Sequence, residues 1–390
     1  MKNKYKLTAL LVALSLGFAG CAQEAGKKVD DAANDAKEKV EEVANDAKDT
    51  ADEAKEDAKD LAEDAKDEAK DKASDALDKA KSTLEGKLVL RRSLKAAHGE
   101  GSFARIAVIT DGDKIVDAAI DEFQYFDEGS GFLALPNQDE DTEFKSGNKS
   151  GKFLGSKVVN DEKYSALMKE KAKATVSIAD NYKAIQNFAK GKTIDELKKV
   201  VAGAEPGKAI DSVTGATLVD TKGYLEAIIE TAEDDENTSV FEANKANDIQ
   251  IKQSFGTAGN KNAITDTFVV MEDGKIIAAN IDEYQYMEGK GVPNSDKKFG
   301  ENYADSKKVL ASKLENNEAY SKQMKDIAKA KHTLRENLNA IEAYVVGKTP
   351  EEIKGLVDGN KPGKPVDAIS EATLSSTVGY LDEIYKTATK

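Results

Sequence analysis

Among 390 residues the chain has one cysteine, Cys21, two histidines, His98 and His332, and no tryptophan. A single cysteine cannot form an internal disulfide. These counts also exclude a CxxCH haem site, a cysteine-ligated iron–sulfur cluster and a four-ligand zinc site. Neither histidine falls in a metal-ligand spacing, and each reads as an ordinary surface or partly buried side chain. Redox chemistry, if the chain performs any, must come from an organic cofactor. The cations are nearly all lysine, with four arginines, and the formal balance is −15. So acidic a chain lacks the basic face that nucleic-acid phosphates require, and no nucleic-acid partner is expected.

Long apolar runs are missing too. The run from Leu7 to Phe18 is too short to be a confident membrane span. With Lys2, Lys4 and Lys6 before it and small residues after it, it has the make-up of a secretory signal. The stretch FAGC resembles the bacterial lipobox, with Phe18 where leucine is usual. The resemblance implies a signal peptide over 1–20 and a lipidated Cys21, holding the protein on the extracellular face of the cell membrane. The alternative is an ordinary signal peptide in which Cys21 is incidental. The acidic balance makes lipid, rather than a basic patch, the means of attachment, and one acyl chain alone anchors only marginally. Ala13–Gly20, ALSLGFAG, loosely resembles the short pheromones released from signal peptides of such lipoproteins.

Residues 21–84 read as a spacer. From Ala36 to Ala80 the apolar positions recur every 3.67 residues, an eleven-residue repeat that keeps a narrow stripe nearly straight along a helix. The stripe is mostly alanine and offers little area to bury. Residues 30–82 carry 20 acids and 10 lysines, so this segment alone supplies −10 of the net charge. A fully helical spacer would reach on the order of 70 Å at 1.5 Å per residue; a disordered charged tether is the other reading.

Beyond residue 85 the chain repeats itself. GDKIVDAAIDEFQYFD at 112–127 matches DGKIIAANIDEYQYME at 273–288 with an offset of 161, and 164–230 matches 320–386 with an offset of 156. Each copy predicts a hairpin across an Asp-Gly turn. A helix of about 25 residues follows, from near Tyr164 or Tyr320. A short helix then opens with a capping box, TIDE at 193–196 or TPEE at 349–352, and a last helix ends near Glu230 or Tyr385. The expected class is α+β, with one domain over 85–236 and a second over 237–390.

Ahead of the last helix each copy carries a short motif, DSVTGATL at 211–218 and DAISEATL at 367–374. Thr214, Gly215, Ala216 and Thr217 are expected where a loop enters a helix, so unpaired N–H groups offer an anion or phosphate site. Gly and Ala keep the backbone accessible, Thr217 offers an esterifiable hydroxyl, and Asp211 could orient it or help hold a metal during transfer. The plain alternative is that Thr217 caps the helix, with Asp220 as reciprocal partner. The second copy loses that box, since Ser376 follows Thr373, yet keeps Asp367, Ser370, Ala372 and Thr373. A cap alone gives no reason for that selection.

The pattern Asp-x-x-Ser/Thr-Gly-Ala-Thr resembles the flavinylation motif of FMN-binding domains, in which a dedicated FMN transferase joins FMN to the last threonine through a phosphoester. Two such domains behind a lipobox resemble the lipoproteins of Gram-positive flavin-based extracellular electron transfer. The resemblance covers about 90–390 and 1–21. It implies a tandem pair of small FMN-binding domains with two covalent FMN groups, on Thr217 and Thr373. It also implies electron flow from a membrane NADH dehydrogenase and the quinone pool to extracellular acceptors such as ferric iron or soluble flavins. Such a protein is an electron carrier rather than a stand-alone turnover enzyme. Glu371 departs from the motif at the place of Gly215, which would be costly if that position needs positive φ. Phe123, Tyr125, Tyr284 and Tyr286 could flank an isoalloxazine ring, although their strand spacing suits a core or surface role better. Two competing readings are a surface module that binds anionic ligands reversibly at its helix ends, and a spacer protein whose repeats only pack.

Overall fold

The computed structural model describes residues 86–245, 249–369 and 371–390. Cys21, the lipobox, the spacer and Ser370 lie outside the described residues.

Two antiparallel sheets form the centre of the α+β fold. In the first, β1 (Leu88–Lys95), β2 (Ser102–Asp111), β3 (Lys114–Asp127) and β4 (Lys152–Ser156) pair in chain order. In the second, β6 (Gln250–Gly256), β7 (Ala263–Glu272), β8 (Lys275–Met287) and β9 (Val309–Ser312) do the same. The registers agree: Lys95 faces Ala104 and Gly256 faces Thr265, each pair shifted by 161. β5 (Thr238–Phe241), just past residue 236, pairs with the free edge of β1. The hairpin turns form where the Asp and Gly residues predict them. Gly112 (φ 58°), Asp273 (φ 48°) and Gly274 (φ 78°) take the left-handed backbone that such turns need.

A four-residue helix, α1 (Glu143–Ser146), sits between β3 and β4. The main helices are α2 (Asp161–Ala172), α3 (Ile178–Ala189), α4 (Ile194–Gly203) and α5 (Thr221–Ala232) in the first repeat. Their counterparts are α6 (Asn317–Ala328), α7 (Leu334–Val345), α8 (Pro350–Gly359) and α9 (Thr377–Ala388). The expected 25-residue helix is thus two helices in each copy. Lys173 and Lys329 end the first of them in the left-handed conformation. Ser177 caps α3, and Thr333 with Glu336 forms a capping box that starts α7. Both expected short helices begin on their capping boxes, at Thr193 and Thr349, the latter with Pro350 in the first turn.

Strand alternation splits the side chains between two cores. Ala104, Ile106, Val108 and Ile120 point to α3 and α5, where they meet Ile185, Tyr224 and Ile228. The second repeat has the matching core under α7 and α9. The alternate residues turn the other way. Phe103, Phe123 and Tyr125 meet Ile264, Tyr284 and Tyr286, and Leu90, Ala107 and Ile109 meet Phe268 and Val270. The sheets therefore pack on each other through their helix-free faces, and the helices cover the outside. Each fully buried side chain of this size contributes roughly 1.5–3 kcal/mol. The helix-covered faces, one per repeat, are where the motifs lie.

Candidate functional site

In both copies the motif is a tight turn pinned from below. Val213 donates its N–H to the Ile210 carbonyl at 2.9 Å, and Ala216 donates to Val213 at 3.1 Å. Gly215 takes φ 91° between them, a conformation that costs a non-glycine residue. The second copy repeats the turn, with Ile369 donating to Val366 at 2.9 Å and Ala372 to Ile369 at 3.0 Å. Val213, Ala216, Ile369 and Ala372 are buried, which is why alanine stands in both motifs. Asp211, Thr214, Thr217, Asp367, Glu371 and Thr373 are exposed on the outer side.

Each motif threonine is held by one asparagine. The Thr217 N–H donates to Asn181 Oδ1 at 2.6 Å, and its hydroxyl lies 3.4 Å from the same oxygen. Thr373 does the same with Asn337, at 2.7 and 3.2 Å. Both asparagines are fully buried. Their amides donate to carbonyls at the start of the same helix, Val176 and Ser177 for Asn181, His332 and Thr333 for Asn337. The side-chain amide is thereby oriented, and its oxygen can only accept from the turn. The result is an exposed hydroxyl in a fixed place at two equivalent positions.

Two expectations need correction. Thr217 does not cap a helix: α5 begins at Thr221, and Asp220 holds the cap position without bonding to the helix N–H groups. The same holds for Thr373, where α9 begins at Thr377 after Ser376. Of the N–H groups expected to form a helix-end anion site, those of Ala216 and Thr217, and of Ala372 and Thr373 in the second copy, already have partners, and the motif ends ahead of the helix's first turn.

Beside each turn lies a buried acid, base and phenol that no short motif marks in the sequence. Glu122 Oε2 accepts from the Lys157 ammonium and from the hydroxyls of Tyr224 (2.7 Å) and Tyr182 (3.0 Å), while Oε1 accepts from Ser102 at 2.8 Å. Burial opposes the Glu122 charge, but Lys157 outweighs it and holds the carboxyl below its ordinary range. In the second repeat Glu283 accepts from Lys313 at 2.6 Å, with Tyr380 bonded to it. Burial lifts the Tyr224 and Tyr380 hydroxyls well above their ordinary pKa, and the neighbouring carboxylate adds to this. The signal was present in the repeat itself, since IDEFQY and IDEYQY, GSK and ASK, and GYL twice carry these residues in register.

A cavity of about 550 Å³ opens next to Thr373, with Glu283, Lys313, Tyr320, Met324 and Tyr380 in its walls. Its size falls within the range of small-molecule sites, and its wall combines aromatic and apolar side chains with one acid, Glu283, and three lysines, Lys313, Lys329 and Lys331. Lys313 sits over the Tyr320 ring at 4.7 Å. Tyr164 and Lys157 make the equivalent contact in the first repeat, at 5.0 Å. Tyr320 and Tyr380 offer flat apolar surface to a small planar ligand, and the three lysines offer positive charge to an anionic one. In the first repeat the N-terminal side of the turn, Thr214 and Gly215, borders a more open cavity of about 430 Å³ with Lys183 and Phe188.

His98 is partly buried, within the expectation, and has a carboxylate partner. Its Nδ1 lies 2.7 Å from Asp220 Oδ2, three residues past Thr217. The hydrogen bond to Asp220 raises the imidazole above its ordinary pKa, and the Asp220 carboxyl is lowered in return. Phe123, Tyr125, Tyr284 and Tyr286 all point into the seam between the sheets, away from the motifs, and pack there as core. They do not flank the threonines. Among the described residues no helix is long and apolar enough to cross a membrane. No family model matches the chain, and comparison with curated proteins and with solved structures finds no match either.

Proposed function

We propose that this chain is a membrane-anchored extracellular flavoprotein that carries electrons through FMN esterified to Thr217 and Thr373. One observation carries the reading: two exposed threonines, 156 residues apart, are clasped through N–H and hydroxyl by equivalent buried asparagines. The cavity beside Thr373 supports it. Structural caps would not need a hydroxyl presented outward, and these threonines do not cap.

In this reading the chain supplies attachment, position and electrostatics, and bound FMN supplies the redox chemistry. The threonine oxygens form the phosphoester in a reaction catalysed by a separate FMN transferase. Asn181 and Asn337 hold the turn, Gly215 and the buried Ala216 and Ala372 shape it, and Asp211 and Asp367 lie at its entrance. The Glu–Lys–Tyr clusters wall the site and exclude water. Electrons arrive from a membrane NADH dehydrogenase and the quinone pool and leave to extracellular acceptors such as ferric iron or soluble flavins. A lipid on Cys21 and the spacer over 21–84 keep the domains at the membrane. Covalent attachment suits that place, because a dissociable cofactor would be lost outside the cell.

The test is to co-express the chain with an FMN transferase, denature it and weigh it. Two FMN additions are expected, with Thr217→Ala and Thr373→Ala each removing one. Colour that washes away on denaturation favours reversible anion binding instead, and a bare polypeptide leaves only the structural role.

A further inference from the structure

We propose that His98, paired with Asp220, is a redox-linked proton acceptor at the first site alone, so that the two sites respond differently to pH. The inference rests on the reading of Thr217 and Thr373 as FMN attachment points.

The two repeats are anchored identically up to this position. Ala97 and Ala258 are equivalent, and each presses its carbonyl against the glycine of the last helix, Gly223 or Gly379, where a Cβ has no room. The next residue differs: His98 in the first repeat, Gly259 in the second. The residue it faces differs too, Asp220 against Ser376. In the second repeat Gly259 and Ser376 line a cavity of about 610 Å³. Ser376 also borders the cavity beside Thr373, so the site is open on both sides of the turn. In the first repeat the imidazole and carboxylate bridge that gap. The two repeats therefore differ at both positions of this contact.

The pair is placed to exchange protons. Three groups face His98: Asp220 ahead of α5, Glu122 on β3 and Lys157 after β4. Asp220 takes Nδ1, and the ring keeps 41% of its side-chain surface open to solvent. Among the described residues Nε2 has no hydrogen-bond partner. A neutral imidazole donating from Nδ1 to Asp220 presents Nε2 as the acceptor. A quinol-class donor oxidised to the quinone gives up two electrons and two protons; the bound cofactor would take the electrons and one proton, and His98 Nε2 would take the equivalent of the second through solvent. The second site has no titratable side chain at either equivalent position.

The experiment uses the full chain loaded by FMN transferase, with Thr373→Ala to leave the first site and Thr217→Ala to leave the second. Midpoint potentials are measured from pH 5 to 9. For a two-electron couple each proton adds about 30 mV per pH unit. In the pH window above the raised His98 pKa of the oxidised chain the first site is expected to fall by about 60 mV per unit, and by about 30 mV in His98→Gln; the second site stays near 30 mV. In the unloaded chain the His98 ring, followed by NMR, is expected to titrate above 6.5 and to move down in Asp220→Asn. A first-site slope that His98→Gln leaves unchanged, with flavin attached, overturns this inference alone. Absence of covalent flavin from both variants overturns the proposed function and this inference with it.

Discussion

Arg105 and Asp266 stand at the same place in the two repeats, 161 residues apart, and form an ion pair with each other. Both are fully buried between the sheets. Equivalent residues meet one another only on a two-fold axis, so the repeats are related as the halves of an isologous dimer. Tyr125 and Tyr286, also 161 apart, meet hydroxyl to hydroxyl on the same axis. Where the tyrosine pair is symmetric, the charge pair is not. Two copies of the first repeat would set Arg105 against Arg105, and two copies of the second would oppose two aspartates. The pair therefore specifies that unlike repeats join.

Charge reversal at this axis should be costly singly and mild together. Arg105→Asp leaves two buried carboxylates facing each other beside Arg92, which also bonds Asp266. Breaking a buried pair costs about 3–5 kcal/mol. Asp266→Arg should cost a similar amount, and the swapped double variant should recover most of it. Recovery will be incomplete, because Arg105 also lies over the rings of Phe255 at 4.1 Å and Phe268 at 4.7 Å. Urea unfolding of the four proteins gives the coupling directly. Additive losses would mean that the axis pair has no specific role.

Asn181→Ala should uncouple the motif without unfolding the repeat. It frees the Thr217 N–H and removes the donor to the Val176 and Ser177 carbonyls. Unsatisfied buried groups cost about 1–3 kcal/mol. The sharper expectation is functional: flavin incorporation at Thr217 should fall while Thr373 is unaffected, and Asn337→Ala should give the reverse. Intact mass after loading each variant decides it, and equal incorporation at both sites would show that the clasp is dispensable.

Lys157→Met should invert the pH response of the first site. With Lys157 present, Glu122 sits below its ordinary pKa. Its stabilising contribution is thus present above the unfolded value and lost as pH falls through the folded one. Without the ammonium, burial dominates and the carboxyl rises, so the variant should lose stability as pH increases. Near neutral pH the loss should approach the 3–5 kcal/mol of a broken buried pair. Adding Glu122→Gln should restore part of it, since Gln still offers an acceptor to Tyr224. Denaturation at pH 5 and 8 compares the three.

Much of this was legible because the chain repeats. The hairpins, both capping-box helices and the paired motif follow from local chemistry that strand alternation, Asp-Gly turns and Thr-x-x-Glu make explicit. The break in the long helix was visible in part, since Thr333-Leu-Arg-Glu336 is itself a capping box. The first repeat gives only Ser177 and the unforeseen left-handed Lys173. Thr217 resembled a cap because sequence shows a hydroxyl near a helix start but not the three-residue gap before Thr221. The clasp by Asn181 and the Glu122–Lys157–Tyr224 cluster depend on contacts across tens of residues, which spacing does not encode. Nor does it show that Phe123 and Tyr125 turn toward the other repeat: alternation assigns a face, not what covers it. The charge pair on the axis becomes readable only after the 161-residue offset is laid onto the packed sheets.

Glu342 should set a pH limit on the second repeat. It lies buried on α7 and accepts the Ile281 N–H at 2.8 Å, facing Arg335 on its own helix and Arg92 and Asp282 on the strands. Burial raises its carboxyl to about 7, and the two arginines offset this only in part. A folded pKa above the unfolded value means that stability is fully present below about 4.5 and is lost as pH climbs to about 7 and beyond. At about 1.4 kcal/mol per unit the loss is about 3 kcal/mol. The first repeat has Gln186 in this position, donating to the Ala118 carbonyl at 2.6 Å, and so avoids the titration. Glu342→Gln should therefore be more stable than the parent at pH 8 and about equal to it at pH 4.5. Unfolding free energies of both proteins across that range measure the difference. If the two curves run parallel, the carboxyl is already ionised at low pH and the desolvation argument fails.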